Sequence, residues 1–70
     1  MIVKGRYKHY KGNFYEVLNL AKHSETLEDV VVYKALYGEQ GVWVRPAKMW
    51  EEIVEAGGKQ TPRFELIEKY

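Results

Sequence analysis

The 70-residue chain contains no cysteine. Disulfides and cysteine-ligated zinc are therefore excluded, although domains below roughly 70–80 residues commonly lean on such staples. Histidine and proline occur only twice each, so a histidine-built metal site has little material. Neither sign of charge dominates, with 11 Lys and Arg against 10 Asp and Glu. That balance places no demand on nucleic acid as a partner. No apolar run approaches the roughly 20 residues that span a bilayer, and no charged-then-apolar leader is visible. These absences fit a soluble, cytoplasmic protein in a reducing compartment. A chain this short buries only about 60 % of its unfolded surface, which leaves no room for a large enclosed active site. No catalytic residue, cofactor or metal is expected, and the absence of linkers or repeats implies one domain over residues 1–70.

What the chain does have is aromatic bulk: six Tyr, two Trp and two Phe. Short runs rich in Val, Tyr and Phe lie between Gly12-Asn13, Gly38 to Gly41, Gly57-Gly58 and Pro62, the punctuation of a strand protein. In the first run, Val3 to Tyr10, alternation places Gly5, Tyr7 and His9 on one face and Lys4, Arg6, Lys8 and Tyr10 on the other. Lys11-Gly12-Asn13 supplies a tight turn. The next run, Phe14 to His23, changes parity: Tyr15 and Val17 belong to one set, Leu18 and Leu20 to the other. A long strand that switches its buried side predicts a bulge.

Ser24 to Asp29 reads as a polar loop in which Thr26 caps a single helical turn. Val30 to Tyr37 and the short run Val42 to Arg45 read as strands, with Trp43 and Arg45 pointing away from the core. Pro46 is expected to open a helix. Met49, Trp50, Ile53 and Val54 would form its apolar stripe, and Gly57 its left-handed stop. A last strand follows from Arg63 to Ile67. The predicted fold is mainly β: a small SH3-like barrel of about five strands with one short helix before the last strand. An open sheet of three to four strands carrying the helix on one face is its rival.

Chemical motifs are sparse. His23 and Ser24 are sequence neighbours on an extended segment, so imidazole and hydroxyl point apart. His9 and His23 lie on different strands at offset positions. The acids at Glu25, Glu28 and Asp29, and at Glu51, Glu52 and Glu55, have the look of solvated faces. Gly57-Gly58-Lys59 lacks the spacing of a phosphate loop. The remaining signal is basic and aromatic.

The segments HYKG at 9–12, HSET at 23–26, VVYKALYG at 31–38 and WVRP at 43–46 resemble a small bacterial family known as domain of unknown function 1653, over about residues 4–67. The resemblance implies an SH3-type fold and no established activity. It implies that His23, Ser24, Glu25, Thr26, Tyr37, Trp43 and Arg45 belong to a recurring pattern. The expected function is a non-enzymatic binding module that recognises a protein segment or a small anionic ligand. Its expected surface comprises Tyr10, His23, Ser24, Glu25, Tyr37, Trp43 and Arg45, with Arg45 offering a forked donor. An alternative is nucleic-acid binding through Lys4, Arg6, Lys8 and Lys11. A small hydrolase or transferase is the third possibility, and no membrane partner is expected.

Overall fold

The structure is a computed structural model and describes residues 2–70. Strand β1 spans Gly5–His9, with Gly5 and Tyr7 buried and Arg6 and Lys8 exposed, as alternation requires. The chain reverses at Gly12, whose φ of 108° is one that glycine adopts without strain. The His9 amide donates to the Asn13 carbonyl at 2.8 Å and closes the turn. Strand β2 (Phe14–Lys22) pairs antiparallel with β1, Tyr7 opposite Tyr15 and Gly5 opposite Val17.

Strand β3 (Asp29–Ala35) follows on the other side of β2. Its register shifts between Val17 and Asn19, which leaves Leu18 as the extra residue. Before the shift Tyr15 and Val17 face inward; beyond it Leu20 stands opposite buried Val31. The parity change read from the sequence is this bulge. Strand β4 (Val42–Pro46) pairs with β3, Trp43 opposite Tyr33 and Arg45 opposite Val31. Directly opposed residues share a face, so Trp43 and Arg45 belong to the inner face at the sheet edge. The expectation that they point away from the core is corrected: Val42 and Val44 take the outer face instead.

Helix α1 is a single turn, Ala47–Trp50, followed by β5 (Ile53–Ala56), β6 (Lys59–Pro62) and β7 (Phe64–Lys69). The expected helix reaching Gly57 is therefore corrected. Ile53 and Val54 pair with Pro62 and Thr61 in a two-stranded hairpin. Gly57 and Gly58 sit at φ 59° and 79°, the two consecutive left-handed residues that a two-residue hairpin turn needs. At the base of this arm the Arg63 amide donates to the Glu52 carbonyl at 2.9 Å, and the Arg63 guanidinium lies 3.3 Å from the Glu52 carboxylate. The main sheet has five strands in the order β4-β3-β2-β1-β7. No pairing joins β4 to β7 among the described residues.

Trp50 plugs the hollow of this sheet and is 2 % exposed. Its ring stacks on Phe64 of β7 with centroids 3.7 Å apart and planes within 2°. Tyr7 of β1 meets it edge-on at 5.4 Å, and Tyr33 of β3 lies 5.1 Å away. Ile2, Val17 and Val31 complete the buried cluster. One turn of helix has almost no stability of its own; its contribution is to deliver this indole. The Arg45 guanidinium on β4 lies 5.7 Å from the Phe64 ring on β7, so the sheet curls until its two edge strands reach side-chain contact.

Candidate functional site: an aromatic and basic rim

The turn between β1 and β2 and the loop between β3 and β4 lie at one end of the sheet, where Leu36 N–H donates to the Phe14 carbonyl. Aromatic rings continue outward from Trp50 to this end. Phe64 contacts His9 at 4.9 Å and Tyr15 at 5.5 Å. Tyr15 contacts Tyr37 at 5.5 Å, and their hydroxyls are hydrogen-bonded at 2.7 Å. His9 leans on Tyr10 at 4.6 Å. The Tyr10 ring carries the Lys11 ammonium at 5.8 Å and the Arg63 guanidinium at 5.9 Å. The side chains are set by the backbone: His9 has the inward parity of Tyr7, and the Tyr10 amide donates to the Arg63 carbonyl at 2.9 Å, locking the two together.

Cations dominate the rim, although Arg63 is paired with Glu52. Burial, then the charges of Arg63, Lys11 and Arg45, hold the His9 imidazole below its ordinary value of 6.5. Its Nδ1 accepts the Lys11 backbone N–H at 3.2 Å, which suits the neutral ring. Burial, followed by the hydrogen bond to Tyr37, pushes the Tyr15 phenol up to about 12. Arg45 has no ion-pair partner among the described residues, and its Nε is buried without a hydrogen bond. The Trp50 indole N–H is likewise unbonded. The Arg63 Nε approaches Glu52, but the contact is not aligned as a hydrogen bond. Unsatisfied buried donors are uncommon and call for an acceptor.

Of the residues singled out from the sequence, the structure gathers Tyr10, Tyr37 and Arg45 on or beside this aromatic cluster. Trp43 stands nearby, 61 % exposed. It lines a depression of about 280 Å³ with Ala35, Tyr37 and the loop from Gly38 to Gly41. A Cβ at Gly41 would come within 3.1 Å of the indole nitrogen, so the Trp43 side chain would have to shift slightly to admit one. His23, Ser24 and Glu25 lie at the opposite end, in the loop between β2 and β3. There His23 Nδ1 accepts the backbone N–H groups of Glu25 and Thr26 at 3.2 and 3.3 Å, and Thr26 Oγ1 accepts that of Glu28 at 3.3 Å. The HSET segment thus ties its own turn, and Thr26 starts no helix. Lys4, Arg6 and Lys8 are exposed beside β1, but acids stand opposite two of them. Arg6 faces Glu16 and Glu68, and Lys8 faces Glu65. Lys11 joins the rim instead.

His9, Tyr15, Arg63 and Phe64 were not among the residues selected from the sequence. His9 carried a usable signal, since it shares parity with Tyr7. Arg63 carried none beyond its place before Phe64. No group of three or more His, Cys, Asp or Glu among the described residues is arranged to hold a metal ion. No described helix is long and apolar enough to cross a membrane.

No curated protein matches the chain. A family model described as "Protein of unknown function (DUF1653)" matches residues 5–66. A crystal structure of a DUF1653 protein from Bordetella bronchiseptica is similar at 39 % identity and a TM-score of 0.89, covering 99 % of this chain and 91 % of that one. With the match spanning nearly the whole domain, from the opening glycine of β1 into β7, the chain belongs to the DUF1653 family.

Proposed function

We propose that the protein is a non-enzymatic binding module whose aromatic and basic rim recognises an anionic group, carried by a protein segment or a small molecule. The observation that carries this reading is Arg45, a guanidinium with no acid partner among the described residues and a buried, unbonded Nε. Its neighbours repeat the theme. Lys11 and Arg63 lie over Tyr10, and His9 stands between burial and three cations. Guanidinium groups on aromatic faces are suited to carboxylate and phosphate recognition. The five-strand order and the curl around Trp50 support an SH3-like barrel as the frame that holds the rim.

The test is a titration of isotope-labelled protein with inorganic phosphate and with acetate, followed by amide and imidazole resonances. Saturable shifts at His9, Tyr10 and Arg45 are expected, together with their loss in Arg45→Met. Absence of shifts at these residues at millimolar anion, or full binding by Arg45→Met, overturns the proposal.

Nucleic-acid binding through Lys4, Arg6, Lys8 and Lys11 has weaker support, because Glu16, Glu65 and Glu68 interleave the cations on neighbouring strands. It predicts an oligonucleotide affinity that falls steeply with salt. A hydrolase or transferase built on His23 has the least support, since His23 Nδ1 is engaged by two backbone amides.

A further inference from the structure

The two edges of the main sheet differ. β7 carries Glu65, Glu68 and Lys69 and is interrupted by the extra residue Ile67, between the pairs Tyr7–Leu66 and Arg6–Glu68. Charges and bulges are the devices that keep an edge strand from pairing. β4 has no bulge, and its only blunting features, Arg45 and Pro46, sit at its C-terminal end. Its register on β3 runs unbroken from Val42 to Pro46, and Val42, Trp43 and Val44 are 58, 61 and 65 % exposed.

The hydrogen-bond phase of this edge follows from one contact. Ala35 N–H donates to the Gly41 carbonyl at 3.1 Å. Bonded and non-bonded pairs alternate in an antiparallel ladder, so Trp43 exchanges bonds with Tyr33, and Arg45 with Val31. Val42 and Val44 then aim their N–H and C=O groups at the open side, where no described strand pairs with them.

We propose that β4 accepts an extended, acidic segment of a partner protein as an added strand. This rests on the reading of the Trp43 and Arg45 surface as a binding surface, and it gives that surface its partner. The charges argue for the acid. On β4 and on the β3 positions paired with it, the charged residues are Arg45 and Lys34. Both are cationic, but Glu16 of β2 stands opposite Lys34, so the uncompensated charge is Arg45, which stands opposite Val31 and has no ion-pair partner among the described residues. An antiparallel guest strand sets one residue opposite Arg45, the next opposite Val44 and the third opposite Trp43. The first and third share the inner face. A carboxylate at the first position accepts from the Arg45 guanidinium, an apolar ring at the third lies against the Trp43 indole, and a β-branched residue between them meets Val44. A second copy of β4 suits the edge less well. It brings the Arg45 guanidinium groups of both copies to one seam, with no acid on β4 to offset them.

The test uses the capped heptapeptide Thr-Val-Glu-Thr-Phe-Val-Thr as probe, titrated into labelled protein. Amide shifts at Val42 and Val44 are expected, with slowed exchange of the Val44 N–H. N-methylation of the central Thr blocks the bond to Val44 and should weaken binding at least tenfold. N-methylation of the adjacent Phe, whose N–H faces away, should leave affinity within twofold. Gln in place of the peptide Glu should weaken binding severalfold. Val44→Pro removes an open-side N–H without breaking a bond to β3. It should lose the peptide while keeping the phosphate response at the rim. Equal binding by the two methylated peptides, or no peptide binding beside an intact phosphate response, overturns strand addition and leaves the rim standing. Loss of both responses removes the rim as well. Concentration-dependent dimerisation with Val42 and Val44 protected in the free protein assigns the edge to a second copy and overturns the proposal.

Discussion

Trp43 and Trp50 are seven positions apart in the sequence, yet their replacement should have opposite consequences. Trp50→Ala removes a ring that is 2 % exposed and touches Phe64, Tyr7 and Tyr33. Truncating a buried Trp to Ala costs about 3–5 kcal/mol. Its indole N–H has no partner, so the loss breaks no hydrogen bond. A chain of 70 residues has a total stability of roughly 4–10 kcal/mol at the usual 0.05–0.15 kcal/mol per residue. Trp50→Ala therefore removes roughly 30 % or more of that, and at about 4–8 °C per kcal/mol lowers Tm by at least about 12 °C. Trp43→Ala, at an open edge, should change stability by no more than about 0.5 kcal/mol. Urea unfolding followed by far-ultraviolet circular dichroism measures both. In the Trp43→Phe protein the remaining emission, from Trp50, should be blue-shifted and resistant to acrylamide. Comparable losses for the two alanine variants, or the larger loss at Trp43, would refute the assignment of Trp50 as the plug.

Gly5→Ala should destabilise by roughly 1–3 kcal/mol, because the new methyl collides with the Glu68 backbone carbonyl; the urea midpoint reports it. His9 sets a pH dependence. Its folded-state value lies below 6.5, so the unfolded chain binds the proton more readily. Stability should be full above 6.5, fall as pH drops from there to the folded value, and then level off. His9→Gln should flatten this segment of a midpoint-against-pH series. Tyr15 acts at the other end of the scale. With its phenol held at about 12 against 10.0 when free, stability should decline as pH rises from 10 towards 12. Tyr37→Phe removes the hydrogen bond and should bring the Tyr15 titration down, as read by ultraviolet absorbance.

The bulge at Leu18 was legible because Tyr15 and Val17 share one parity and Leu20 holds the other; no tertiary knowledge is needed to see a strand change sides. The arm from Ile53 to Pro62 was misread because Met49, Trp50, Ile53 and Val54 fall at helical spacing. The better signal was Gly57-Gly58 between residues that alternate, a two-residue hairpin turn. The face of β4 could not be phased from its own residues. Val42, Trp43 and Val44 are all apolar, and only the pairing of Trp43 with Tyr33 decides which of them looks inward. His23 is selected from the sequence as a binding residue, whereas its Nδ1 serves two backbone amides, a use that depends on ring orientation. The rim itself was half visible. Tyr10, Tyr37 and Arg45 were selected from the sequence, while Arg63 arrives through a long-range backbone bond to Tyr10.

The double tie between Glu52 and Arg63 has an architectural consequence. The chain departs from the body and comes back at one point, so everything between is a side branch on a closed neck. Length added at the Gly57-Gly58 tip would extend the branch into solvent and leave Phe64 where it is. The domain thereby owns a natural port for grafted sequence, on a part of its outline that neither the plug nor the rim depends upon.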